Sequence, residues 1–113
     1  MSDELYHMAQ QAASDSRVWF PDTAHSAFFM AACIAGEAGE LLNEMKKVER
    51  GSHELDDVVH RIKGEMADVF TYLLSLAGLL EVDLQAEYEK KRELNKSRFA
   101  FQQLAPFRSG DIA

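Results

Sequence analysis

The chain has 113 residues, 47% of them hydrophobic and 10% aromatic, with only two prolines, a balance that suits one folded, mainly helical domain and excludes a disordered polar segment. Its formal charge of −7 excludes nucleic acid as a general partner, because a phosphate backbone needs a basic footprint and the one basic segment is Lys90 to Arg98. No apolar run reaches the roughly 18 to 20 residues that span a bilayer, and a lone Cys33 without a basic-then-apolar leader points to a soluble protein of the reducing cytoplasm.

Residues 3 to 15 place Leu5, Met8, Ala9, Ala12 and Ala13 at the spacing of a short amphipathic helix. Arg17 to Thr23 is expected to be a connecting loop carrying Trp19 and Phe20, since Pro21 disfavours helix at Phe20 and Asp22 or Thr23 suits an N-cap. A long helix follows from Ala24 to about Glu49. Its apolar stripe comprises Ala27, Phe28, Ala31, Ile34, Ala35, Ala38, Leu41, Leu42, Met45 and Val48, and Arg50-Gly51-Ser52-His53 ends it.

A second long helix is expected from about Glu54 to Leu80, with Leu55, Val59, Ile62, Met66, Val69, Phe70, Leu73, Ala77 and Leu80 on its apolar side. Asp83 suits the N-cap of a last helix over roughly Leu84 to Leu104, and the tail from Pro106 reads as short and polar. The reading is an all-α, four-helix domain over residues 1–113, with its core in about 17–104 and no internal repeat.

The chemistry sits in two acid pairs. Glu37 and Glu40 stand three apart on the first long helix, as do Glu65 and Asp68 on the second. Positions i and i+3 lie about 60° apart around a helix, so each pair presents two carboxylates on one face. Glu44 extends the first row and Tyr72 the second. Packed antiparallel, the two helices bring both rows to one cleft, where four oxygen donors suit a hard divalent cation. Exposed helices often carry acids at this spacing, so either pair alone is weak. Both, however, border apolar stripes, where an unpaired carboxylate is costly.

Other readings are weaker. A di-iron bundle needs two Glu-x-x-His motifs, and only Glu4 and His7 provide one; His25, His53 and His60 follow Asp22, Arg50 and Asp57. Cys33 lies one turn before Glu37 but has no histidine or cation to lower its pKa, so it reads as a packed thiol. Lys91, Asn95 and Arg98 share a face of the last helix, an ordinary solvated basic face unless a polyanion lies opposite. Lys47 projects beside the acid row, within reach of Glu44.

The set Gly36-Glu37-Ala-Gly-Glu40-Leu41, Glu65-Met-Ala-Asp68-Val-Phe-Thr-Tyr72 and Lys91-x-x-x-Asn95-x-x-Arg98-Phe99 resembles the all-α nucleoside triphosphate pyrophosphohydrolases, most closely the short MazG-like proteins, over about residues 17 to 99. The resemblance implies hydrolysis of a nucleoside triphosphate to a monophosphate and pyrophosphate. It implies magnesium (Mg2+), with manganese (Mn2+) as a substitute, on Glu37, Glu40, Glu65 and Asp68. It associates Lys91, Asn95 and Arg98 with the triphosphate and Trp19 or Tyr72 with the base, and it implies a homodimer or homotetramer whose sites are completed between protomers. Within that chemistry Glu40 is the nominee for general base, and Lys91 and Arg98 for stabilising the leaving pyrophosphate. Lys47 stands where some relatives have an aromatic, so the preferred base is left open. The alternative is a catalytically silent helical module that binds nucleotide or protein.

Overall fold

Apolar periodicity and local caps divide the chain into four α-helices in the computed structural model, which describes residues 3–22 and 26–100. They are α1 (Asp3–Trp19), α2 (Ala27–Glu49), α3 (Leu55–Leu80) and α4 (Leu84–Arg98), with no strand among the described residues. The all-α class and the count of four agree with the sequence reading. None of these helices is long and apolar enough to cross a membrane.

Three boundaries differ from expectation. The first helix runs on through Arg17, Val18 and Trp19, because Pro21 restrains only the residue before it and leaves the Phe20 amide free to bond the Ser16 carbonyl at 2.8 Å. The second is capped by Ser26, whose Oγ accepts from the Phe29 amide at 3.1 Å, rather than by Asp22; Thr23 and Ala24 lie outside the described residues. The last helix ends at Arg98 with Phe99 as its cap, short of Leu104; residues 101–104 and the tail from Pro106 also lie outside the described residues.

The other caps follow their residues. Gly51 takes φ 81° after α2, and the Ser52 and His53 amides with the Ser52 hydroxyl all donate to the Lys47 carbonyl. Asp83 accepts from the Ala86 amide at 3.0 Å to start α4. Between α3 and α4, Glu81 is left-handed at φ 56°, which lets the Val82 amide reach the Ala77 carbonyl and turns Val82 onto the core.

α3 is the central element. α1 lies antiparallel along its second half: the Ser75 hydroxyl donates to the Ala12 carbonyl at 3.1 Å and sits 2.9 Å from the Ser16 hydroxyl, both serines being buried. Ala9, Leu74 and Ala77 form the core of that contact, with Leu5, Ala12, Val82 and Leu84 around it. α2 lies antiparallel along the other side, and Met30, Val58 and Ile62 are buried. α4 touches the bundle mainly through α1, and every residue from Ala86 to Ala100 is exposed.

The stripes are only partly interior. Met66 and Leu42 are more than half exposed, Phe28 is 83% exposed, and Phe70 and Leu73 face solvent as well. Each long helix carries an apolar arc wider than one antiparallel neighbour covers, so one flank is packed and the other is left open. Leu41, Met66, Ala67, Val69, Phe70 and Leu73 line an open apolar groove of about 520 Å³ on that flank.

Candidate active site

The antiparallel packing of α2 and α3 sets Glu37 against Glu65 and Asp68, and Glu44 against Arg61. Carboxylate oxygens of Glu37, Glu65 and Asp68 all lie within 4.8 Å of one another. Glu37 and Glu65 are half-buried and Asp68 is exposed. The Glu65 Oε2 atom is closed off from solvent and has no hydrogen-bond partner. An orphaned carboxylate oxygen facing two more acids is an unfavourable arrangement for a bare protein and a suitable donor set for a hard cation.

The electrostatics record the crowding. The Glu65 carboxyl is held above the ordinary carboxylate range, first by loss of water around it, then by hydrogen bonding to Glu37, then by the charges of Glu37, Asp68 and Glu40. Glu40 therefore acts on Glu65 through its charge, but it is exposed and stands outside the group of three. Tyr72, half-buried one turn beyond Asp68, has its phenol pushed up by burial, then by Cys33, Glu37 and Asp68, so it remains protonated beside the acids with Cys33 as hydrogen-bond neighbour.

Trp19 is 61% exposed at the end of α1, a consequence of the longer helix. It lines an open groove of about 330 Å³ with Met8, Gln11, Ala12, Asp15, Thr71 and Leu74. Thr71 is three residues past Asp68, so this groove between α1 and α3 begins one turn from the acids.

The basic residues sit elsewhere. Lys91 and Asn95 line a shallow cleft of about 370 Å³ with Tyr88, Arg92 and Lys96, all on α4, and none of the acids borders it. Arg98 is outside that lining and its guanidinium lies 5.3 Å from the centre of the Phe99 ring. Within one chain, then, three of the four acids are brought together, Tyr72 joins them, Trp19 stands at the head of an adjoining groove, and Lys91, Asn95 and Arg98 are not in that group.

Arg61, which the sequence reading passed over, joins the expected Lys47–Glu44 pair in this region. Glu44, a largely buried carboxylate, accepts from Lys47 Nζ at 3.0 Å and also from Arg61 Nε at 3.1 Å. Its carboxyl is held below the ordinary range, first by the Lys47 hydrogen bond and then by that of Arg61. The signal was available: Arg61 precedes Glu65 by four residues on α3, which puts it on the helix face that carries the acids.

Among known protein families, the sequence model described as MazG nucleotide pyrophosphohydrolase domain matches residues 25–96. That span holds all four acids, Tyr72, Lys91 and Asn95; Trp19 lies before it and Arg98 just after it. No curated protein and no solved structure matches the chain.

Proposed function

Because the chain belongs to the MazG nucleotide pyrophosphohydrolase domain family, we propose that it hydrolyses standard or modified (deoxy)nucleoside triphosphates to the monophosphate and pyrophosphate, as a cytoplasmic enzyme of nucleotide-pool control. The observation that carries this reading is the trio Glu37, Glu65 and Asp68 within 4.8 Å, with the orphaned Glu65 Oε2 among them. These residues fit a hard divalent ion, magnesium or manganese, while Glu40 stands outside the group of three. When bound, the cation supplies charge neutralisation on the phosphates and a more acidic water.

The chain's own groups do the rest. Glu40, exposed and outside the trio, is the carboxylate free to take the proton of the attacking water. The water oxygen bonds to phosphorus, the anhydride bond between the α and β phosphates breaks, and pyrophosphate leaves with the electron pair. Tyr72 stays protonated and donates to the substrate edge or stacks beneath its base, while Trp19 offers an exposed indole at the head of the α1–α3 groove. Lys91, Asn95 and Arg98 serve the leaving pyrophosphate from a second copy of the chain, as members of a homodimer or homotetramer. Support for that assembly is the open apolar groove over Leu41, Met66, Phe70 and Leu73, together with the exposed Tyr88, Leu94 and Phe99 on an α4 that its own bundle scarcely covers.

The test is pyrophosphate release from a panel of ribo- and deoxynucleoside triphosphates with magnesium, for the parent, Glu40→Gln and Asp68→Asn. Release that needs both acids supports the hydrolase. No release from any nucleotide by the folded parent would replace it with a silent nucleotide- or protein-binding module. Mixing Asp68→Asn with Lys91→Gln tests the composite site: hybrids hold one intact site in two, so about one quarter of parent activity returns. No recovery after subunit exchange would leave each chain complete in itself.

A further inference from the structure

Glu44 has more cation around it than it needs. Its carboxylate, only 12% exposed, holds Lys47 Nζ on one oxygen and Arg61 Nε on the other, so the cluster carries one uncompensated positive charge. Arg61 spends only Nε on this contact. Its side chain is 43% exposed, and its two terminal nitrogens have no ion pair or hydrogen bond among the described residues. Lys47 is 32% exposed and likewise has donors to spare. One half-buried anion thus engages two partly exposed cations, each with donors left over.

The position matters as much as the charge. Arg61 is four residues before Glu65 and seven before Asp68 on α3, and Glu44 is seven residues after Glu37 on α2, so the cluster lies one to two helical turns, about 6–10 Å, along α2 and α3 from the acid trio. A linear polyanion with one end at the acids extends along the cleft toward these cations. A planar guanidinium already anchored through Nε presents its outer fork to phosphate oxygens at little further cost in order.

We propose that Arg61 and Lys47, aligned by Glu44, form a subsite for the terminal phosphates of the substrate, supplied by the same chain as the acids. This rests on the pyrophosphohydrolase reading above and adds to it a cationic end for the cleft that does not depend on α4. It also accounts for three charges where a simple tie between α2 and α3 needs two.

The experiment uses the full chain saturated with Mg2+ and titrated calorimetrically with inorganic pyrophosphate, for the parent, Arg61→Gln, Arg61→Lys and Lys47→Gln. Arg61→Gln is expected to weaken pyrophosphate about tenfold, Lys47→Gln by a smaller factor, and Arg61→Lys to recover part of the loss. Affinity for Mg2+ alone, measured in parallel, is not weakened, since removing a cation beside an acid cluster does not disfavour a second cation. Circular dichroism melts report the structural share separately. Parent-like pyrophosphate binding by both glutamine variants, whatever happens to their melting, would overturn the subsite and leave the hydrolase reading standing. A parent that binds neither pyrophosphate nor any nucleoside triphosphate would overturn both.

Discussion

Gly78 and Gly64 sit in the same helix, and the same substitution at each is expected to act with opposite sign. A Cβ built on Gly78 falls onto the Ala9 carbonyl oxygen and comes within 2.8 Å of the Ala13 side chain, because α1 crosses α3 there backbone against backbone. Nothing lies within 4 Å of a Cβ at Gly64. Alanine gains about 1 kcal/mol over glycine in a helix interior at either position. At Gly78 that gain is set against forcing two packed helices apart, and overpacking of this kind costs about 1–3 kcal/mol, toward the upper end when the obstacle is backbone rather than a movable side-chain tip. The net for Gly78→Ala is a loss of about 1–2 kcal/mol, while Gly64→Ala gains up to about 1 kcal/mol.

Urea unfolding at one fixed protomer concentration reads both, the concentration being held because any assembly contributes to apparent stability. The midpoint should fall for Gly78→Ala and rise for Gly64→Ala, with the slope unchanged in each. A Gly78→Ala variant as stable as the parent would refute the close crossing, and with it the register that seats Ser75 against Ala12 and Ser16.

Three further outcomes follow from other parts of the fold. Ser75→Ala strands the buried Ser16 hydroxyl and removes the second donor on the Ala12 carbonyl, and should cost about 1–3 kcal/mol, whereas Ser16→Ala/Ser75→Ala together should cost less than the two singles added, measured as a double-mutant cycle by denaturant unfolding. Ser26→Ala removes the N-cap of α2 and should cost about 1 kcal/mol in the same assay with no change in metal affinity. The raised Glu65 carboxyl binds its proton more tightly folded than unfolded, so its contribution to metal-free stability is fully present below the unfolded carboxyl value and is lost as pH rises through the higher folded value; thermal melts across that window should show this limb flattened by Glu65→Gln, and a parent-like limb in that variant would reassign it to other acids.

The four helices and the meeting of Glu37, Glu65 and Asp68 were legible because a helix fixes angular positions rigidly. Spacing of three places two acids on one face, and a short turn at Gly51 returns the second helix antiparallel. What spacing does not fix is which flank of a wide apolar arc a neighbour covers. Val58 is fully buried while the adjacent Val59 is exposed, and Met30 is buried while Phe28 is not, because the choice is made by where α1 and α3 leave room. Caps were legible where one candidate stood alone, as at Asp83, and misread where Asp22 and Thr23 stood ahead of Ser26. The place of α4 depends on contacts outside its own sequence: a polar, basic helix has the same pattern whether it lies against its own bundle or stands away from it.

The acid trio opposes folding, and its use depends on that opposition. Three carboxylates within 4.8 Å, one oxygen without a partner, destabilise the metal-free chain through the same repulsion that a bound cation removes. Ligand that binds only the folded state stabilises it in proportion to the logarithm of its concentration over Kd, so under the proposed metal reading relief of the repulsion would appear as metal affinity. Relaxation of the cleft would weaken that link, since helices free to separate would let the acids spread and hydrate. The contacts that prevent it lie away from the acids: Arg61 of α3 holds the Glu44 carboxylate of α2, and Met30 of α2 and Val58 and Ile62 of α3 are buried. Rigidity at those points is therefore what keeps the carboxylates close enough to serve the proposed cation.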